Sequence, residues 1–147
     1  MSRILVLYYS RSGNTEKMAT AVAEGAKNAG NAEVELSYHV DADDLSNFDA
    51  IILGAPTYHH DMPMDMKRLF EDAAAKGMNL KGKVGAAFGS YGWSGEAPKA
   101  IARRLADLKM RVIGEPATAQ LVPTEADRQA ARELGANLAQ AMLSRPN

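Results

Sequence analysis

The apolar positions of this chain fall into two kinds of run. Three are short and unbroken: Ile4-Leu5-Val6-Leu7-Tyr8-Tyr9, Ala50-Ile51-Ile52-Leu53 and Val84-Gly85-Ala86-Ala87-Phe88. A run of this length without alternation reads as a strand covered on both faces. Glu33-Val34-Glu35-Leu36-Ser37-Tyr38 alternates instead, as an edge strand with one wet face does. The other apolar positions recur at helical spacing. Met18, Val22 and Ala26 mark a helix over 14–29, stopped by Gly30. Met66, Leu69, Phe70 and Ala73 mark one over 64–75, and Ile101, Leu105 and Leu108 one over 98–108. Ala130, Leu134, Leu138 and Met142 form the inner face of a closing helix over 124–143, with Thr124 as its N-cap. Arg111-Val112-Ile113 starts a last strand that continues through Ala117 to Leu121. Strands two and three are joined by a short acidic stretch, 41–48, with room for one helical turn around Asp43-Asp44-Leu45.

Buried strands alternating with helices predict an α/β fold: a doubly wound, five-stranded parallel sheet with helices on both faces. For strand order 2-1-3-4-5, ligands bind beyond the carboxyl ends of the strands where the winding reverses. That places a site at the loops after strands one, three and four, residues 10–15, 56–63 and 89–96. All three are rich in polar, glycine or aromatic residues.

Composition narrows the chemistry. With 147 residues, 46% hydrophobic and 24% charged, the chain reads as one globular domain over 1–147. It has no cysteine, which excludes disulfides, thiolate-held clusters and a thiol nucleophile. Redox chemistry would have to come from a bound cofactor. A net charge of −1 with scattered basic residues argues against a nucleic-acid partner. Arg103-Arg104 and Lys81/Lys83 read as solvated faces. No apolar run is long enough to insert in a membrane and no signal sequence is evident, so the expected location is cytoplasmic.

Ser10-Arg11-Ser12-Gly13-Asn14-Thr15 lies between a buried strand and a helix start. A phosphate there meets free backbone amides and the positive end of the helix dipole. Ser10, Ser12 and Thr15 add hydroxyls, Asn14 an amide, and Gly13 lets the backbone come close. The loop lacks the Gly-Lys-Ser/Thr of a P-loop and the spaced glycines of a dinucleotide fingerprint. Side-chain donors in place of glycines suit a terminal monophosphate, which FMN has and NAD and FAD lack.

The string Tyr-Ser-Arg-Ser-Gly-Asn-Thr-Glu over 9–16 resembles the phosphate loop of flavodoxins. Gly54-Ala55-Pro56-Thr57-Tyr58 resembles the second flavin loop of that family. Phe88-Gly89-Ser90-Tyr91-Gly92-Trp93-Ser94-Gly95 resembles the third, most of all as it stands in the flavodoxin domain of flavodiiron (A-type) proteins. The resemblance implies a flavodoxin-like fold and an FMN site built from residues 10–15, from Pro56, Thr57, Tyr58, His59 and His60, and from Gly89, Ser90, Tyr91, Gly92, Trp93 and Gly95. It implies an electron carrier between redox partner proteins, with a reductase or ferredoxin as donor and an unspecified acceptor. A flat ring needs aromatic or apolar walls; Tyr58, Tyr91 and Trp93 are the candidates, and spacing leaves open which of Tyr91 and Trp93 stacks. Where the family often has glycine beside the flavin N5, this chain has His59, which reaches positive φ at greater cost. The expectation is a less stabilised one-electron-reduced flavin. His59-His60-Asp61 is not a metal site, because neighbouring residues rarely converge.

Three other readings share parts of this pattern. An FMN-dependent NAD(P)H:quinone reductase would use the same loops, with His59 or His60 against substrate. An interaction module without FMN would have no use for an intact 10–15 loop. A receiver-like domain would need acidic residues where strand one ends in Ser10.

Overall fold

Parallel pairing fixes the architecture. In a computed structural model, which describes residues 2–10, 13–30, 32–57, 61–92 and 95–143, β1 (Ser2–Tyr8) pairs with β2 (Ala32–Ser37) on one side and β3 (Ala50–Gly54) on the other. β4 (Val84–Tyr91) follows β3, and β5 (Arg111–Val112) follows β4. The order is therefore β2-β1-β3-β4-β5, all parallel. The expected last strand is split. β6 (Ala117–Gln120) also pairs with β4, further along, so two short strands share the fifth place. Between them the chain turns through Gly114 at φ 66, a left-handed conformation that breaks the ladder.

Helices cover both faces. α1 (Asn14–Asn28) and α4 (Glu125–Leu143) lie over one, burying Met18, Val22, Ala26, Leu134 and Leu138 against Ile4, Val6, Ile52 and Phe88. α2 (Met64–Ala75) and α3 (Glu96–Asp107) lie over the other, burying Met66, Phe70, Ile101 and Leu105 against Leu5, Ile51 and Leu53. The central strands β1, β3 and β4 present buried residues to both layers, the reason for their unbroken apolar runs. β2 leaves Glu33 and Glu35 exposed, as an edge strand should, but the expected alternation stops at Leu36, which is 40% exposed.

Some helix details differ from the sequence reading. α3 begins at Glu96 rather than 98, because Pro98 is accepted within a first turn that needs no proline N–H. On α4, Leu134, Leu138 and Met142 are buried as expected, but Ala130 is exposed and Ala131 takes its place on the inner face. Thr124 caps α4 as expected: its Oγ1 accepts from the Asp127 amide at 3.1 Å, and the Asp127 carboxylate accepts from the Thr124 amide at 2.9 Å. The acidic stretch between β2 and β3 forms a short 3-10 helix, Ala42–Asn47. Two basic residues are more than solvated surface. Lys83 Nζ donates to the carbonyls of Ser46 and Phe48, closing that short helix. Arg104 lies over the Phe70 ring, 5.6 Å from its centroid.

Candidate functional site

β1 delivers Ser10 to the carboxyl edge of the sheet, next to the start of α1. Gly13 stands just before the helix in a left-handed conformation, φ 90, and among the described residues nothing but its chain neighbours comes within 4 Å of the place a β-carbon would occupy. Ser10 Oγ accepts from the Gly13 amide at 3.0 Å and from the Glu16 amide at 3.4 Å, stapling the described ends of the loop to the first turn. Its hydroxyl proton remains to be given elsewhere. Among the described residues, nothing accepts from the amides of Asn14 and Thr15, and Gly13 at the N-cap has no side chain to offer them. The one acidic residue of that turn, Glu16, accepts from the Tyr8 hydroxyl at 3.1 Å. Partial burial, and then Glu16, push the Tyr8 hydroxyl above its usual pKa.

Thr15 does not behave as a free loop donor. Its hydroxyl lies 2.7 Å from that of Ser90 on β4, and both residues are buried. Ser90 in turn accepts at its carbonyl from the Thr57 amide, 3.3 Å away. Thr57 Oγ1 accepts from the Ala97 amide at 3.0 Å and so caps the first turn of α3 from outside the helix. The loops after β1, β3 and β4, far apart in sequence, are thus joined by one short series of hydrogen bonds. The reading of the sequence missed Ala97 in this series, because only its backbone takes part.

Gly89 is buried, and a β-carbon there would stand 2.3 Å from the Ala55 carbonyl oxygen, so its role here is close packing between β3 and β4. The Tyr91 ring rests on Gly95, where an added β-carbon would meet it at 3.2 Å. Tyr91 and Gly95 share a hollow of about 330 Å³ with Glu96, Lys99 and Thr118. Gly92 is exposed, and Pro56 is half-buried at the end of β3. Leu121, expected only as the end of the last strand, lies just past β6: its amide donates to the Tyr91 carbonyl at 2.7 Å, and it holds φ 58, which ties the end of β6 to the third loop. At the second loop, Asp61 accepts from Lys67 Nζ at 2.7 Å and from the Met62 amide at 2.7 Å. The Lys67 bond chiefly holds its carboxyl below the usual carboxylate range. Arg11, Ser12, Tyr58, His59, His60 and Trp93, all expected at the site, lie outside the described residues.

A cleft of about 940 Å³ starts at Ser10 and Gly13 and runs over the ends of β1 and β2 toward α2. Tyr9, Val40 and Leu69 are among its apolar lining; Thr57, Ser90 and Tyr91 are not part of it. Ser10 and Gly13, at the approach to α1, therefore border open space large enough for a ligand. Gly13 gives close access, and the described part of the loop carries no carboxylate. This arrangement fits a phosphate monoester, and with it the phosphate end of FMN. Among the described residues no cluster of His, Asp or Glu could hold a metal ion, and no helix is long and apolar enough to cross a membrane.

The flavodoxin family model matches residues 6–135 of the chain, a span that takes in every loop described above. This chain belongs to the flavodoxin family. It is 34% identical to a type A flavoprotein of Rhodobacter capsulatus over 97% of its own length and 34% of that protein's. It thus spans about a third of the length of the first curated relatives it matches. It is 38% identical to an NAD(P)H dehydrogenase (quinone) of Acidovorax ebreus, over 79% of this chain and 72% of that one. Among solved structures, a flavodoxin from the domain Archaea superposes with a TM-score of 0.87 at 35% identity, covering 97% of this chain and 99% of the other. The flavodoxin-like fold and its strand order are those expected from the sequence. Flavodoxins bind FMN and act as electron carriers.

Proposed function

We propose that residues 1–147 form one FMN-binding unit that carries electrons between redox partner proteins. The observation that carries this reading is the start of α1: amides at Asn14 and Thr15 with no acceptor among the described residues, and, just before them, Ser10 and Gly13 at the edge of an open cleft. Ser10 to Thr15 would hold the phosphate. The loops after β3 and β4 would hold the ring, with Pro56, Thr57, Tyr58, His59 and His60 on one side and residues 89–95 on the other. The Tyr91 ring is packed on Gly95, which favours Trp93 for the stacking role. The bound flavin supplies the redox chemistry; the protein fixes it, shields its faces and sets its potential. The electron donor would be a reductase or ferredoxin, and the chain would work in the cytoplasm.

A second reading, an FMN-dependent NAD(P)H:quinone reductase, is favoured by the 38% identity to the Acidovorax ebreus protein. The two separate in one experiment: purify the protein, identify its flavin, photoreduce it without oxygen, and then offer NADH or NADPH with a quinone. A carrier binds FMN, reduces by light and turns over neither nucleotide. Rapid nucleotide oxidation coupled to quinone reduction establishes the enzyme instead. A protein that stays colourless when FMN is added overturns both readings.

A further inference from the structure

The Thr15 and Ser90 hydroxyls form a buried pair, 1% and 5% exposed, with their oxygens 2.7 Å apart. Each hydroxyl has one proton to give and can accept others. Thr15 stands at the second position of α1, where its own amide has no acceptor among the described residues. Ser90 stands on β4, and among the described residues its hydroxyl has no partner but Thr15. The direction of this hydrogen bond has a consequence. If Thr15 donates to Ser90, its proton is spent and its oxygen presents only lone pairs to an incoming anion. If Ser90 donates to Thr15, the Thr15 proton is free, and a hydroxyl that accepts one hydrogen bond donates a stronger one.

We propose that Ser90 is a positioning residue that sets the preference for a phosphorylated flavin, by donating to Thr15 and so turning the Thr15 proton toward the phosphate. Ser90 itself does not touch the anion; it acts through Thr15. Its buried place fixes it for the task, because its carbonyl is held by the Thr57 amide and its strand is paired with β3 and β6. The inference rests on the reading of residues 10–15 as a phosphate loop.

The test compares FMN with riboflavin, which lacks the phosphate, on the apoprotein, following quenching of flavin fluorescence. Wild type binds FMN far more tightly than riboflavin. Ser90→Ala weakens FMN about fivefold, the loss of part of one hydrogen bond, and leaves riboflavin within twofold. Thr15→Val weakens FMN about tenfold or more, and Ser90→Ala adds nothing further in that background. Ser90→Thr keeps the donor and restores the wild-type ratio. Ser90→Cys, nearly isosteric with a weaker donor, gives a smaller loss in the same direction if the alanine variant does not fold. Equal weakening of both flavins, or additive losses in the double variant, overturns the role of Ser90 while leaving the phosphate loop standing. A wild-type protein that binds riboflavin as tightly as FMN overturns the phosphate loop, and the role of Ser90 falls with it.

Discussion

Gly25 of α1 lies against the backbone of Arg132 on α4, so close that a β-carbon at Gly25 would stand 1.9 Å from the Arg132 carbonyl oxygen. Gly135 repeats the contact in the other direction: its β-carbon would stand 2.1 Å from the Val22 oxygen. The two helices meet backbone to backbone, and no flexible side chain can move aside. Gly25→Ala gains helix propensity of about 1 kcal/mol but must force the helices apart, an overpacking cost of about 1–3 kcal/mol or more. The expected outcome is a net loss of about 2 kcal/mol in urea unfolding, with Gly135→Ala similar. An unchanged midpoint would mean that the pair slides freely.

Gly54 and Phe88 are partners in the β3–β4 register, and a β-carbon at Gly54 would enter the Phe88 ring at 2.2 Å. Phe88 is fully buried, so the ring has nowhere to go. Gly54→Ala should cost about 2–3 kcal/mol. Combined with Phe88→Leu, the loss should fall short of the sum, since the smaller side chain makes the room that alanine needs. A strictly additive double variant would show that the ring is not the obstacle.

Thr57 serves α3 rather than its own strand. Thr57→Val keeps the volume and removes the acceptor of the buried Ala97 amide. The expected cost is about 1–2 kcal/mol. Hydrogen exchange at Ala97 should quicken with it, and unaltered exchange there would refute the cap.

Asp61 titrates below its ordinary range because Lys67 donates to it. A depressed carboxylate stabilises the fold fully above its unfolded pKa of about 3.9. That contribution disappears as the pH falls through the lower, folded value. Both side chains are a third or more open to water, so it amounts to less than about 1 kcal/mol. Carbon-detected NMR should find the Asp61 midpoint depressed, and returned toward normal in Lys67→Ala. A midpoint that ignores the substitution would assign the shift to the Met62 amide instead.

The sheet was readable from the sequence because burial on both faces leaves unbroken apolar strings, as in 4–7, 50–53 and 84–88. The inner faces of α1, α2 and α3 followed from spacing alone. The break in the fifth strand was passed over: Val112 and Ala117 suit a strand equally well, but Gly114, which takes a left-handed turn, and Pro116 stand between them. At the site, the sequence pointed to three loops and assigned their polar side chains to a ligand, with no sign of the bonds those side chains make to one another. Thr15 and Thr57 also hold Ser90 and Ala97, partners 75 and 40 positions away. A string of donors does not say which of them face a ligand and which face each other; that depends on contacts made only when distant loops are brought to one sheet edge.

The split fifth strand also bears on how the molecule meets its own kind. A parallel sheet left open at both ends invites a neighbouring chain to add another strand. Here a visiting strand finds the carboxylates of Glu33 and Glu35 along one border, the latter 3.5 Å from Arg3. Along the other it finds two short ladders separated by residues 113–116, out of step with any straight partner. The border that carries charge and the border that is broken discourage the same stacking by different means.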